Sequence, residues 1–469
     1  MKHTLIMIIM FLTVSSGFSQ ENVLNLSLDE AIAYALENNR TIINAQRDIE
    51  AAKKQKWETT ATGLPQINAS VEYQNFLKQP VSLLPAAAFD NTQAIIETVE
   101  DFFNLTSTGS PDPVDGFIPV RFGTKQNINA TVTLSQILFD GSYLVALQSS
   151  KVFLDISKNA KEKTDLEVRK IVINAYGNVL LAEESIKILE KNKITLVKNV
   201  NETKKIFENG LEEEESVEQL QITLLGIESS LNNAIRLKDI SYKMLNVSLG
   251  IDVKRKVLLK DDLPSLTTQN IDLNLMNTSL NLENNIDFKI AKNNEKSQEL
   301  LLKYEKTKAL PSLTAFVNGG YAGNSDSFSF LKSDQQWFGS SIVGVSLNVP
   351  IFSSLGRSAK TQRAKIDFEK AKTELSETEQ QLELQTANAK SNYQFAIEQY
   401  QTAKKNLDLS ERIETKNQTK FFEGVSSSFE LRQAQTQLYS AQQEYLQAML
   451  DVINNKTALE TVLNQISKN

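Results

Sequence analysis

The sequence predicts a largely helical chain with amphipathic β-strands, built as two copies of one unit. A stretch from Glu37 to Pro65 returns from Glu283 to Pro311, offset by 246 residues at both ends. In each copy a polar segment of helical periodicity reaches a Leu-Pro pair and then switches to strict alternation of apolar and polar residues. The duplication predicts that each half contains a helix, two strands, a long helix, a Gly turn and a return helix.

The first copy is predicted to carry a long loop between its strands. After the strands, Phe139 recurs as Phe352 and Gly210 as Gly424, at offsets of only 213 and 214 residues, so the first copy has about 33 extra residues between its strands. The loop from Asn75 to Lys125 holds several prolines and a short helical pattern near Thr92 to Phe103. Loops of this length are usually functional or disordered.

The composition excludes several functional classes. The chain of 469 residues has no Cys, a single His, and a net charge of −7. This acidic balance argues against a nucleic-acid partner. Residues 1–19 resemble a secretory signal peptide, although an uncleaved anchor is the alternative. Cleavage would remove the single His, so we assign no catalytic, metal-binding or cofactor-binding residues and predict that the protein is not an enzyme.

The helical segments show clear beginnings, ends and seams. Ser27 and Glu30 have capping-box spacing, and the first helix is expected to continue to about Thr62. A helix of about 100 Å is expected from Ser142 to Glu208. A heptad seam runs along it, and the long helix of the second half has the same rhythm. The seam of the first long helix contains Val168, Val172, Ala175, Val179, Ala182, Ile186 and Leu189.

The alternating segments allow two interpretations. Each has about nine or ten residues with one apolar face and one face of Asn, Gln, Ser and Thr. They are either half-buried strands of a soluble domain or transmembrane strands with a polar lumen. No later stretch has 18 consecutive apolar residues, so membrane crossing would require a closed barrel, and four strands per chain would need several chains. The apolar face of the first strand pair contains Ile67, Ala69, Val71, Tyr73, Ile128, Ala130, Val132 and Leu134.

Landmarks along the whole mature chain resemble the TolC-like outer-membrane efflux protein family. They are Leu26 to Ala31, Ala35 to Asn39, the two Leu-Pro pairs, the strand exits at Phe139 and Phe352, and the paired Gly tips. The resemblance implies an all-α coiled-coil barrel plus a transmembrane β-barrel. A homotrimer would form a 12-stranded barrel in the cell outer membrane, continuing into a long periplasmic tunnel. It also implies a passive exit duct for efflux or type I secretion, docked to a periplasmic adaptor (membrane fusion protein) and an inner-membrane pump.

The resemblance assigns roles to residues at the tips of the two helical hairpins. In the family these tips contact the adaptor, which implies adaptor contacts at Gly210, Leu211, Gly424 and Val425. Each glycine is also explained simply as a left-handed helix cap.

The family also narrows its periplasmic mouth with acidic residues after the second tip. The matching positions are Glu430, which keeps the charge, and Gln433, which does not. We expect Ser216 and Gln433 to supply hydrogen bonds that hold this gate closed. The acidic run from Glu212 to Glu215 is either further gate charge or a solvated face.

These observations divide the chain into four segments. They are the signal peptide at 1–19, a first repeat at 20–250 with strand pair 65–138, an equatorial link at 251–280, and a second repeat at 281–469 with strand pair 311–352. One alternative is a periplasmic coiled-coil adaptor or structural protein without a pore, but such a protein would have one hairpin rather than two. A secreted enzyme is the other alternative, and no carboxylate pair supports it.

Overall fold

The computed structural model describes residues 23–89, 91–106 and 115–465, and the expected signal peptide lies outside them. The chain divides into two compact units. The helical unit comprises the described residues of 1–56, 148–302 and 361–469, and the strand unit comprises those of 57–147 and 303–360.

The elements follow the predicted order in both halves. The helices are α1 Leu28–Asn38, α2 Arg40–Ala61, α3 Thr92–Phe103, α4 Gly141–Glu208, α5 Glu214–Leu249, α6 Leu263–Gln269, α7 Leu273–Asn277, α8 Ile286–Thr307, α9 Gly356–Phe422 and α10 Ser428–Leu463. The strands are β1 Leu24–Leu26, β2 Gln66–Asn75, β3 Val81–Pro85, β4 Phe117–Arg121, β5 Gln126–Phe139, β6 Val257–Leu259, β7 Ser312–Ser325 and β8 Trp337–Asn348.

The first helix begins as predicted but does not continue to Thr62. The predicted capping box is present at Ser27, but the helix breaks at Asn39, whose ψ is 130°. The Asn39 side chain stabilises this break because Oδ1 accepts from the Thr41 amide at 2.8 Å and Nδ2 donates to the Ser248 carbonyl at 2.7 Å. One side chain therefore caps the start of α2 and satisfies a carbonyl at the end of α5.

The same arrangement occurs in the second half. Asn285, which is 246 residues after Asn39, accepts from the Asp287 amide at 2.9 Å and donates to the Val462 carbonyl at 2.8 Å. The repeated Asn therefore ties the start of α2 and the start of α8 to the end of the return helix of the same half. The sequence pattern missed both breaks because helical periodicity continues through them.

The predicted seam of α4 lies in the core of the helical unit. Val172 and Val179 are fully buried, and Ala175 and Ala182 are at most 9% exposed. The small side chains allow neighbouring helices to approach closely, and burial of the apolar seam stabilises their packing. The corresponding positions of α9 are also buried, including Leu382, Thr386, Tyr393, Ala396, Tyr400 and Ala403.

The link at 251–280 is more regular than the sequence suggests. It contains α6, α7 and β6, and β6 pairs in parallel with β1. These strands have three residues each, too short for a periodic signal. Two buried tyrosines hold the region. The Tyr176 hydroxyl lies 2.7 Å from Asp261 Oδ2, and the Tyr393 hydroxyl donates to the Asn270 carbonyl at 2.7 Å.

The strand unit contains an antiparallel sheet in the order β2-β5-β7-β8. In its register Ala69 pairs with Val132, Val132 with Gly319, and Gly319 with Ser341. Facing residues in adjacent strands lie on the same side of the sheet, so all eight predicted apolar-face residues share one face. On the other face the Ser70 and Thr131 hydroxyls lie 2.8 Å apart.

The long loop has more structure than the sequence predicts. The short helix is confirmed as α3, but an antiparallel pair of β3 and β4 was not predicted. Residues 90 and 107–114 of this loop lie outside the described residues.

Among the described residues, no helix has the length and apolar character needed to cross a membrane.

Candidate functional site at the hairpin tips

Both helical hairpins reverse direction at a glycine in the left-handed region. Gly210 has a φ of +75° and Gly424 a φ of +77°. The amide of the residue after each glycine donates to the carbonyl five residues before it, at 3.1 and 2.9 Å. These are the bonds of a Schellman cap, which accounts for both glycines as helix ends. Leu211 and Val425 follow them with side chains 79% and 73% exposed, so each tip presents an apolar group.

The second return helix begins with a capping box that the sequence analysis missed. The Ser427 hydroxyl accepts from the Glu430 amide at 3.3 Å, and the Glu430 carboxylate accepts from the Ser427 amide at 3.1 Å. The hydroxyl of Ser426 also donates to this carboxylate. The Ser-x-x-Glu spacing was visible in the sequence, as it was at the start of α1.

The capping hydrogen bonds favour the charged form of Glu430. Donation from the Ser426 hydroxyl and the Ser427 amide lowers the pKa of this carboxyl below its usual value. The residue is exposed, and Gln433 is exposed one turn further along α10. Residues three apart lie on the same helix face, so the two predicted gate residues form one polar surface.

Ser216 has a different environment from the other two predicted gate residues. It is buried, its hydroxyl donates to Glu212 at 2.6 Å, and it lies 2.9 Å from the Ser428 hydroxyl. The structure therefore brings Ser216 to the start of α10, but in the contact between the two hairpins rather than on the exposed surface of Glu430.

Most of the acidic run after the first tip has a local structural role. Glu214 and Glu215 lie in the first turn of α5, where a negative charge is favourable next to the free amides of the helix start. Glu215 also accepts from the Gln219 side chain at 2.7 Å. No cluster of His, Cys, Asp or Glu that could hold a metal ion is found in the part of the chain described.

Buried and half-buried polar side chains connect the hairpins behind the tips. The Asn192 amide donates to Gln442 at 2.7 Å, and the Gln418 amide donates to Asn199 at 2.8 Å. Each bond joins a helix of one hairpin to a helix of the other. Sequence reasoning missed these residues because Asn and Gln are also common on exposed helix faces.

Comparison with solved structures identifies the fold. The fold is similar to the outer membrane protein VceC from Vibrio cholerae, with a TM-score of 0.69, 14% identity, and coverage of 93% of this chain and 96% of that one. For the CmeC outer membrane channel of Campylobacter jejuni the TM-score is 0.68 at 18% identity, with 93% and 85% covered. The open state of the MtrE outer membrane channel of Neisseria gonorrhoeae gives 0.67 at 17%, with 93% and 89% covered. The chain therefore has the fold of outer-membrane channels.

A family model identifies the second half more specifically. Residues 278–465 match the outer membrane efflux protein family. Together with the fold, this match confirms the resemblance to the TolC-like outer-membrane efflux proteins that the sequence indicated. No curated protein matches the chain.

Proposed function

We propose that this chain is one subunit of a homotrimeric outer-membrane export duct, the passive exit channel of a tripartite efflux or type I secretion system. The main support is the channel fold over nearly the whole chain. A periplasmic adaptor or structural protein without a pore is a weaker candidate, because the chain has two hairpins and a four-stranded amphipathic sheet.

The amphipathic sheet supports membrane insertion as part of a shared barrel. One face carries the apolar set that includes Val71 and Val132, while the other carries Asn, Gln, Ser and Thr. The sheet of one chain has β2 and β8 as its edges, and unpaired strand edges cannot face lipid. Pairing of these edges between three chains would remove them, with the apolar face against outer-membrane lipid and the loop at 75–125 outside the cell.

Membrane fractionation and conductance test the duct itself. Full-length protein should appear in the outer-membrane fraction, migrate as a trimer in an unheated gel, and produce discrete current steps in planar bilayers. A monomer in the soluble periplasmic fraction that gives no conductance would support the alternative without a pore.

The exposed tips support docking to a periplasmic adaptor, with an inner-membrane pump completing the system. Leu211 and Val425 place one exposed apolar side chain at each tip, directly after the glycine turns that the family resemblance assigns to adaptor contact. Leu211→Asp should abolish complementation of export by the adaptor and pump and leave bilayer conductance intact. Leu211→Met keeps an apolar side chain and is the matched control. Equal export by both variants would exclude this residue from the docking surface.

A further inference from the structure

A buried acidic side chain lies between the two helices of the second hairpin, away from the exposed residues of the tips. Glu414 of α9 is 8% exposed, and Gln435 of α10 is completely buried next to it. Both residues are about ten positions from Gly424, which corresponds to roughly 15 Å along the helices. On α4 the nearby Asn199 is also fully buried and bonds to Gln418, one turn after Glu414.

The side-chain amide of Gln435 is unusually placed. Within the described residues neither its oxygen nor its nitrogen forms a hydrogen bond of normal geometry, although the side chain is fully buried and lies within reach of the Glu414 carboxylate. Buried amides are nearly always paired, because an unpaired one loses its hydrogen bonds to water without replacement. This amide therefore needs a partner that can donate one hydrogen bond and accept another.

Among the described residues, no positive charge compensates the Glu414 carboxylate. No charged partner contributes to its pKa, and Asn199 and Gln418 are uncharged. The titratable neighbour on α10 is Tyr439, whose pKa is raised by burial and by the Glu414 carboxylate. Tyr439 packs against an apolar cluster of α4 and α5 that includes Leu196 and Ile227. Burial raises the pKa of Glu414, and the Gln435 side chain opposes that rise.

We propose that Glu414 is a proton-binding site whose neutral carboxylic acid pairs with the amide of Gln435 across the α9–α10 contact. The acid O–H would donate to Gln435 Oε1, and the Nε2–H group would donate to the acid carbonyl oxygen. This pairing satisfies both unpaired atoms of Gln435. Release of the proton to solvent would keep the bond from Nε2–H to one carboxylate oxygen but leave Oε1 facing the other, and two acceptors repel one another.

The raised pKa determines the direction of the pH effect. A carboxyl with a pKa raised in the folded state contributes stability that is complete below its unfolded pKa and is lost as pH rises through the folded value. The contact between α9 and α10 is therefore tightest in acid and looser at neutral pH. The proton site does not depend on the proposed export function. Only its consequence does, namely that the two helices of the second hairpin separate more readily at neutral pH behind the proposed adaptor contact.

Stability measurements across pH test the site in purified full-length protein. Glu414→Gln keeps the shape of the neutral acid and cannot lose a proton. It should raise the thermal midpoint by a few degrees at about pH 7.5 and leave it unchanged near pH 4. The control is Glu411→Gln, which removes an exposed carboxylate from the preceding turn of α9 and should not change the wild-type pH dependence.

Infrared spectroscopy provides a second readout that does not depend on stability. The wild-type minus Glu414→Gln difference spectrum should contain the carbonyl band of one neutral carboxylic acid, and this band should disappear only above the usual titration range of Glu. An unchanged or uniformly lowered thermal midpoint at all pH values, or a band that titrates like an exposed carboxyl, would overturn the proposal. Neither measurement involves export or conductance, so their failure would leave the proposed duct untouched.

Discussion

Replacing Glu460 with Gln should leave two positive charges unpaired in the core of the helical unit. Glu460 lies on α10, where its carboxylate is 2.9 Å from Arg169 of α4 and 3.5 Å from Lys456. The three side chains are 4%, 12% and 2% exposed, respectively. Removal of this anion leaves both cations largely out of water and, among the described residues, without an anionic partner, which costs about 3–5 kcal/mol.

Two further variants make this expectation specific. Lys456→Met removes the surplus cation and leaves the Arg169–Glu460 pair neutral, so its free energy of unfolding should stay within about 1 kcal/mol of the wild type. Glu283→Gln breaks an ion pair with Lys292 in which the side chains are 69% and 52% exposed, and should cost about 0–1 kcal/mol.

Denaturant unfolding of the purified proteins, followed by circular dichroism, gives the three free energies under one set of conditions. The reasoning requires Glu460→Gln to be far more destabilising than either companion. If its cost matches that of Glu283→Gln, water or relaxation compensates the two cations. If Lys456→Met costs as much as Glu460→Gln, the triad acts through packing rather than charge.

Three further expectations concern the tips, the sheet and the gate. Gly210→Ala should destabilise the first hairpin by about 1–2 kcal/mol, because Ala disfavours the left-handed backbone at this position. Gly226 lies inside α5 with open space around it, so Gly226→Ala should stabilise the same hairpin by about 0.5–1 kcal/mol. Thermal unfolding measures both changes. Val132→Arg should reduce trimer assembly in the outer membrane, at a cost of about 2–4 kcal/mol, whereas Thr131→Arg on the opposite face should not. Equal trimer assembly by the two variants would contradict the lipid-facing assignment. Glu430→Ala should weaken divalent-cation block of single-channel current. The effect should be largest at low salt, because exposed charges are screened over about 10 Å at 0.1 M. Unchanged block would place this carboxylate away from the constriction.

Periodicity explains how much of the fold could be predicted from the sequence. Alternation between Gln66 and Asn75 and the heptad rhythm of α4 are local properties, so they indicated the element type and nearly the correct bounds. The same periodicity continued through Asn39 and hid the helix break there. That break depends on a carbonyl at Ser248, and a local pattern contains no information about so distant a partner.

The candidate site likewise has some features with a local sequence signal and others that depend on distant residues. A glycine turn and the spacing of a capping box each involve only a few neighbouring residues. Gly210 and Gly424 could therefore be predicted as turns, and the capping box at Glu430 could have been predicted in the same way. The tertiary structure alone decided that Ser216 meets Ser428 and that Glu414 lies beside Gln435 in the core. A polar side chain on a helix has the same sequence signature whether it faces water or a neighbouring helix. Its burial, and therefore its charge state, is determined only when the helices pack.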